Sequence, residues 1–356
     1  MKGVSLIICC YNSASRLPET LRYIAHQEVG SDIIWELIIV NNASTDNTVS
    51  VAKTEWEKYS CNTPFKIVDQ PISGLSSARK KGIETSKHDY ILFCDDDNWL
   101  DKNYVNIAFE TMELHPKAGI IAGQTKGHFE IPKPFWFDSV AQSYVVEKPM
   151  PASGYLHSGR EYLAGAGMLI RKELINSMQS VGFEPILTGR LGKSLMSGED
   201  YELCLVANYL GFRIYFEEKL NLIHFMSKER LNWDYFIKMT TVGHAIPEVI
   251  YDLYRFGYKN SMSQKKKTFL HIYLKLIKTY SKDIVFPLYK VSIKELINFF
   301  KNFHLFFRML PGSILQRKIL ASRNKLIFLL KNRKLLKKNF YQIQFLFERI
   351  INESNR

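Results

Sequence analysis

The stretch Tyr90-Ile91-Leu92-Phe93-Cys94-Asp95-Asp96-Asp97 decides the fold. Five apolar residues run without alternation and stop at three carboxylates. Such a run is the pattern of a strand buried on both faces, as in a parallel sheet covered by helices. The acids then fall at the strand's carboxyl end, where open α/β sheets bind ligands. Three adjacent carboxylates repel one another unless a cation or several donors sit among them. Residues two apart on an extended chain share a face, so Asp95 and Asp97 are expected to converge. Hard carboxylate oxygens suit Mg²⁺ or Mn²⁺, which also hold substrate phosphates. The plainer reading of the same residues is a solvated acidic turn or a helix cap.

Upstream, strands and helices alternate. Val4–Cys10, Trp35–Val40 and Phe65–Val68 read as strands, and Pro18–Gln27, Asn47–Tyr59 and Ser76–Ser86 as helices. This β-α-β-α-β-α-β order predicts an α/β fold with a parallel sheet and helices on both faces. Tyr11-Asn12 and Asn41-Asn42 then join Asp95–Asp97 at the carboxyl ends of strands. Between 119 and 225, Pro132, Pro134, Pro149 and Pro151 lie among aromatic residues and predict a long, loop-rich insert. Beyond Leu231 the chain reads as helical. Leu336, Phe340, Ile343, Phe347 and Ile350 form an apolar stripe. In Leu296–Leu310, Lys294, Asn298, Lys301 and Arg308 fall near one face, and Phe299, Phe300, Phe303, Phe306 and Phe307 largely elsewhere.

The net charge of +13 over 356 residues is unevenly placed. Residues 261–356 hold 21 Lys and Arg against 4 Asp and Glu, a net of +17, which leaves −4 for residues 1–260. The basic segment alone therefore points to an anionic partner. Its Phe, Leu and Ile at helical spacing favour an anionic membrane surface over nucleic acid, and no nucleic acid is expected. Packing on the rest of the chain, with the charge left in water, is the plainer alternative. Cys9, Cys10, Cys61, Cys94 and Cys204 have neither metal-like nor disulfide-like spacing, which suggests a reducing compartment. The run Val4–Cys10 is short and ends in Tyr11-Asn12, so it reads as a strand rather than a signal peptide. No apolar run reaches the length of a membrane span. The expected location is cytoplasmic, at the inner face of the membrane.

The sequence resembles the family 2 glycosyltransferases of the GT-A fold. The resemblance rests on five motifs in order: Val4-Ser-Leu-Ile-Ile-Cys-Cys-Tyr-Asn12, Glu36-Leu-Ile-Ile-Val-Asn-Asn-Ala-Ser-Thr-Asp46, Gly74-Leu-Ser-Ser-Ala-Arg-Lys-Lys-Gly-Ile83, Tyr90–Asp97 and Gly198-Glu-Asp-Tyr-Glu-Leu203. It covers roughly residues 1–230, leaving 231–356 as a basic, amphipathic helical region. The resemblance implies an inverting transferase with a nucleotide-diphosphate sugar donor, UDP favoured. The implied acceptor is a hydroxyl of a cell-surface glycan, lipid-linked or of polysaccharide, capsule or lipopolysaccharide type. It implies that Asp95 and Asp97, with His224, hold Mn²⁺ or Mg²⁺, and that Asp200, or else Glu199, is the general base. Donor contacts are implied for Cys10, Tyr11, Asn12, Asn41, Asn42, Gly74, Arg79, Asp95 and Asp96. Gly165, Ala166 and Gly167 are implied on the acceptor or sugar side.

Each residue has a second reading. Asn41 and Asn42 stand where many relatives carry Asp; Asn donates as well as accepts, and it also suits an Asx turn. Asp46 and Ser44 are expected to cap the next helix. Arg79 suits a surface ion pair. Glu199 and Asp200 suit a helix N-terminus. Trp99, Trp136 and Trp233 suit sugar stacking or a core. A nucleotidyltransferase is the competing enzyme, but it would carry a Gly-rich loop, and Cys10–Pro18 holds no glycine.

Overall fold

The computed structural model describes residues 2–157, 161–190, 195–263, 267–288 and 314–354. The stretch 296–310, read above as a helix, lies outside them. The chain divides into two units, Met1–Lys193 with Gly198–Asn232, and Ser194–Ser197 with Trp233–Arg356.

The first unit is built on a nine-stranded sheet. Its strands are β1 (Val4–Cys10), β2 (Trp35–Asn42), β3 (Phe65–Gln70), β4 (Tyr90–Asp95), β5 (Asn98–Leu100), β6 (Ala118–Phe129), β7 (Gly154–Tyr155), β8 (Leu169–Arg171) and β9 (Arg213–Met226). The order is β3-β2-β1-β4-β8-β6-β9-β5, with β7 on β9. β3, β2, β1 and β4 are parallel, as the apolar runs predict. β8 is antiparallel to both neighbours, so the whole sheet is mixed. Helices α1 (Leu17–Ala25), α2 (Thr48–Glu57), α3 (Leu75–Thr85), α4 (Tyr104–Leu114), α5 (Lys172–Ser180) and α6 (Glu199–Tyr209) complete it. Leu6, Ile8, Leu37, Ile39, Leu92, Tyr104 and Met112 lie in one core against the sheet.

Residues 119–225 are loop-rich over 130–168, where the described residues form only the 3₁₀ segment Phe137–Tyr144 and β7, but the rest of the stretch joins the sheet. They supply most of β6 and β9, the two longest strands, which pair in parallel. Only the first half of β6 is buried, and β9 carries Glu217, Glu218 and Lys219 midway. Register shifts at Ala118/Ile120 and Ala122/Gln124 break the two-residue period further, so neither strand reads as an apolar run. The sheet also curls. β4 and β5 are separated by only Asp96 and Asp97, about 11 Å of extended chain. Four interstrand spacings of about 4.8 Å lie between them along a flat sheet. The far end of β9 therefore returns towards β4.

The second unit is helical. It contains α7 (Trp233–Lys238), a π-helical turn (Met239–His244), α8 (Ala245–Ser261), α9 (Phe269–Leu288), α10 (Ile314–Lys331) and α11 (Arg333–Ser354). The stripe Leu336, Phe340, Ile343, Phe347 and Ile350 is buried. A side chain at Gly257 of α8 would lie 2.5 Å from Ile343 Cγ2, so the stripe serves packing of α11 on α8. Asn324 Nδ2 donates to the Thr241 carbonyl (2.8 Å), and Tyr280 Oη to Asp252 Oδ2 (2.6 Å). No helix among the described residues is long and apolar enough to cross a membrane.

Helix α3 approaches the sheet through Gly82, where a Cβ would meet Ile7 Cγ2 at 2.5 Å and Val40 Cγ2 at 3.3 Å. Gly82→Val is expected to cost about 1–3 kcal/mol through overpacking. The measurement is urea unfolding: the midpoint should fall with an unchanged slope, and an unmoved midpoint would refute this close approach.

Candidate active site

Strand β1 lies between β2 and β4, so the connection direction reverses at β1 and opens a crevice at the carboxyl ends of β1 and β4. The register pairs Cys9 with Asp95. After Asp95 the chain turns through Asp96 and Asp97 and re-enters the sheet as β5, with Asn98 opposite His224. The Phe225 amide donates to the Asp97 carbonyl (2.9 Å). This re-entry, absent from the sequence reading, brings His224 Nε2 within 3.7 Å of Asp97 Oδ2.

Arg230 completes the group. Its Nη1 lies 3.1 Å from Asp97 Oδ2 and 3.0 Å from His224 Nε2. Guanidinium can only donate, so Nε2 accepts, and Nδ1 donates to the Tyr144 carbonyl at 3.1 Å. In this arrangement the lone pair of Nε2 is turned towards Arg230. Burial pushes the Asp97 carboxyl up, and the facing His224 and Arg230 outweigh it, holding it well below the ordinary carboxylate range.

Asp96 faces elsewhere. Its Oδ2 pairs with Arg16 Nη2 at 2.5 Å and its carbonyl accepts from Thr20 Oγ1 at 2.8 Å. The middle acid of the turn thus tethers α1. Alternation along the turn explains the separation: Asp95 and Asp97 share a side that Asp96 does not.

Glu199 and Asp200 open α6 after Gly198, whose φ of 106° favours glycine. Asp200 Oδ2 accepts from the Gly165 amide (2.9 Å) and Oδ1 from the Tyr201 amide (2.8 Å). Glu199 Oε1 pairs with Arg79 Nη1 at 3.2 Å, while Oε2 is buried without a hydrogen-bond partner among the described residues. Arg79 comes from the second turn of α3 and lies over the Phe93 ring, 5.1 Å from its centre. With its side chain 14% exposed it is a half-buried cation, not a surface ion pair. A Cβ at Gly165 would sit 2.8 Å from Arg79 Nη2 and 3.4 Å from Asp200 Cβ, so only glycine lets the two approach there.

Burial raises the Asp95, Glu199 and Asp200 carboxyls, and Arg79 opposes it in each case. Burial works to lower Arg79, but Glu199 and Asp95 outweigh it and leave Arg79 raised. The Cys9 thiol beside Asp95 is pushed up to about 12, chiefly by burial, and stays protonated. Arg79 and Arg230 thus face the four carboxylates Asp95, Asp97, Glu199 and Asp200 most directly, with Arg16 acting on Asp97 and Arg190 on Glu199 from further off. The donor set of Asp95, Asp97 and His224 suits a divalent cation, and the charge imbalance has the right sign. Among the described residues, however, no three His, Cys, Asp or Glu side chains form a ready ligand set. Arg230 bridges the Asp97–His224 pair instead.

The other expected contacts divide. Asn12, in the left-handed region, accepts on Oδ1 from the Thr45 amide (2.8 Å), and its own amide donates to Ser44 Oγ (3.1 Å). Ser44 therefore fastens Asn12 instead of capping α2, while Asp46 Oδ1 accepts from the Thr48 amide at 3.0 Å. Asn42 donates to the Gln70 and Ile72 carbonyls and accepts from the Gly74 amide at 2.8 Å, which makes it a clamp on the loop before α3. Asn41 is different. Its Nδ2 donates to Asp69 (2.8 Å), while Oδ1 is buried without a hydrogen-bond partner among the described residues. Tyr11 is exposed beside this turn and Cys10 is buried in β1. Gly167 (φ 69°) packs under Tyr104, whose hydroxyl donates to its carbonyl at 2.7 Å, and Ala166 packs against the core. Trp99 stacks on Tyr23 and Phe225 inside the unit, so it is core. Trp136 packs near Tyr144 and Trp233 against Phe236. Arg230, Tyr144, Arg16 and Asp69 were not legible as site residues, because none lies in a recognisable motif.

Residues 5–171 match the family described as Glycosyl transferase family 2. A curated relative is the poly-beta-1,6-N-acetyl-D-glucosamine synthase of Staphylococcus epidermidis, 28% identical over 127 residues, which are 35% of this chain and 29% of the relative. This chain therefore spans under a third of that relative. Two solved structures share the fold. The mannosyltransferase PcManGT of Pyrobaculum calidifontis, in complex with GDP-Man and Mn²⁺, has a TM-score of 0.54 at 15% identity, covering 91% of this chain and 87% of that one. TarS 1–349 of S. aureus, in complex with UDP-GlcNAc, has 0.52 at 17% identity, covering 97% and 93%.

The raised Asp95 carboxyl has a consequence for stability. An unfolded aspartate ionises near 4. As pH rises from there through the folded value, the native state keeps a proton that the unfolded chain has lost, and stability declines. Asp97 acts oppositely: its contribution is present above about 4 and is lost as pH falls through its depressed folded value. Asp95→Asn should therefore melt a few degrees above wild type at pH 8 without divalent cation, the two converging towards pH 4. A lower melting temperature for the variant at pH 8 would refute the buried-charge account.

Proposed function

We propose that this chain, a member of glycosyl transferase family 2 over residues 5–171, is an inverting transferase for a nucleotide-diphosphate sugar. The acceptor is a hydroxyl of a cell-surface glycan precursor, and a UDP-sugar is the first choice of donor. The observation that carries this reading is the gathering of Asp95, at the end of β4, and Glu199 and Asp200, at the start of α6, around half-buried Arg79, with Asp97 paired to Arg230 beside them. The relative's name, a poly-N-acetylglucosamine synthase, supports a glycan product. The UDP-GlcNAc and the GDP-Man with Mn²⁺ in the two similar folds support a nucleotide-sugar donor and a divalent cation, Mn²⁺ or Mg²⁺.

Asp200 takes the proton of the acceptor hydroxyl as its oxygen attacks the anomeric carbon. The Gly165 and Tyr201 amides fix the carboxylate's direction, and each oxygen keeps a lone pair. Burial makes this carboxylate more basic, nearer to what a general base needs at neutral pH. The bond to the diphosphate breaks on the opposite face, so one displacement inverts the centre. When bound, a divalent cation held by Asp95, Asp97 and His224 would neutralise the charge on the leaving diphosphate. Arg79 holds Glu199 and adds positive charge to the same crevice. The +17 segment draws the protein to the anionic inner face of the membrane by charge, since the apolar stripe of α11 is used in packing.

Asp200→Asn should cut sugar transfer by about 10²–10⁴-fold while leaving donor-induced thermal stabilisation intact. A panel of UDP-, GDP- and dTDP-sugars with Mn²⁺ supplies the donor. Near-normal turnover by the variant would sink the base assignment, and undiminished turnover after EDTA treatment the cation. On vesicles, binding should need anionic lipid and weaken steeply with salt. Equal binding to neutral vesicles refutes the membrane role.

A further inference from the structure

We propose that Arg230 is a resident counter-cation that a divalent ion must displace before it can use Asp97 and His224. This rests on the reading of those two residues as cation ligands. Nε2 of a neutral imidazole has a single in-plane lone pair, and Arg230 Nη1 takes it at 3.0 Å. The same Nη1 takes Asp97 Oδ2 at 3.1 Å. A divalent ion on Nε2 needs that lone pair, so guanidinium and metal exclude each other at this point.

The arrangement is built, not incidental. Tyr144 fixes both partners: its carbonyl accepts from His224 Nδ1 at 3.1 Å, and its hydroxyl donates to the Arg230 carbonyl at 3.0 Å. Nδ1–H bonded to a carbonyl is the arrangement that turns Nε2 towards a metal. Arg230 ends a short 3₁₀ turn, Lys228–Arg230, closed by its amide on the Ser227 carbonyl at 3.0 Å. The backbone is thus pinned while the long side chain supplies the charge. Asp97 is 6% exposed, and a buried carboxylate without a counter-ion would be costly. Arg230 meets that need in the metal-free protein, and cation loading becomes an exchange of one positive group for another. The exchange weakens apparent metal affinity and discriminates against ions that cannot outcompete a guanidinium.

The test is Mn²⁺ binding alone, followed by electron paramagnetic resonance of free Mn²⁺, on the full chain. Arg230→Gln and Arg230→Ala should bind Mn²⁺ roughly tenfold tighter than wild type or more. Both should melt lower than wild type without metal and recover on adding Mn²⁺. Adding Asp97→Ala to Arg230→Gln should abolish the gain. Equal or weaker Mn²⁺ binding by folded Arg230→Gln overturns the competition while leaving the cation reading standing. Binding by neither wild type nor variant overturns the cation reading, and the proposal with it. If Arg230→Ala does not fold, the Gln variant decides alone.

Discussion

Gathering one buried and three half-buried carboxylates against arginine side chains is the constraint on which the first unit is arranged. In water these acids would repel mildly; in a crevice at the edge of a core, each unpaired charge costs several kcal/mol. Arg79 is drawn down from α3, Arg230 across from the end of β9, and Gly165 gives up a side chain so that Arg79 can approach Asp200. Backbone amides do the rest, since Asp200 accepts two of them. The residual negative charge is what makes the crevice receptive to a cation and its anionic donor.

The sheet's first half was legible because β1, β2 and β4 are buried on both faces and must be apolar throughout. The crevice was legible for the same reason, since the acids stop an apolar run abruptly. β6 and β9 were not, because each leaves the core midway and carries charge where it does so. The site suffered similarly. Asp95, Asp97, Asp200 and Arg79 sit in motifs whose spacing carries the signal. Arg230 and Tyr144 reach the site only through the register of β9 and the 3₁₀ segment Phe137–Tyr144, and no local pattern encodes either. The links of Asp96 to Arg16 and of Asn42 to the loop before α3 were not legible, because a motif does not say which way its members point.

The charge asymmetry also divides differently once packing is known. The apolar stripe of α11 that suggested a lipid-facing surface is covered by α8, and Lys325 on α10 pairs with Glu248. Among the described residues the second unit still exposes Leu270, Leu274, Leu330, Leu335 and Phe345, but the α11 stripe is not part of that surface, and the unit's excess charge acts whichever side chains face outward. An attraction of that kind is long in range, reversible and sensitive to salt.

The curl between β4 and β5 gives the acidic turn a mechanical meaning. Asp96 and Asp97 are the whole length of a strap joining the middle of the sheet to its returning edge, and both side chains are anchored, one to α1 and one to the β9 side. The spacing of the two outer acids is therefore also a closure length. One residue more would slacken the strap and leave the strand edges free to part; one fewer would not reach. Selection on the chemistry and selection on the fold act on the same two peptide units, so neither could change without the other.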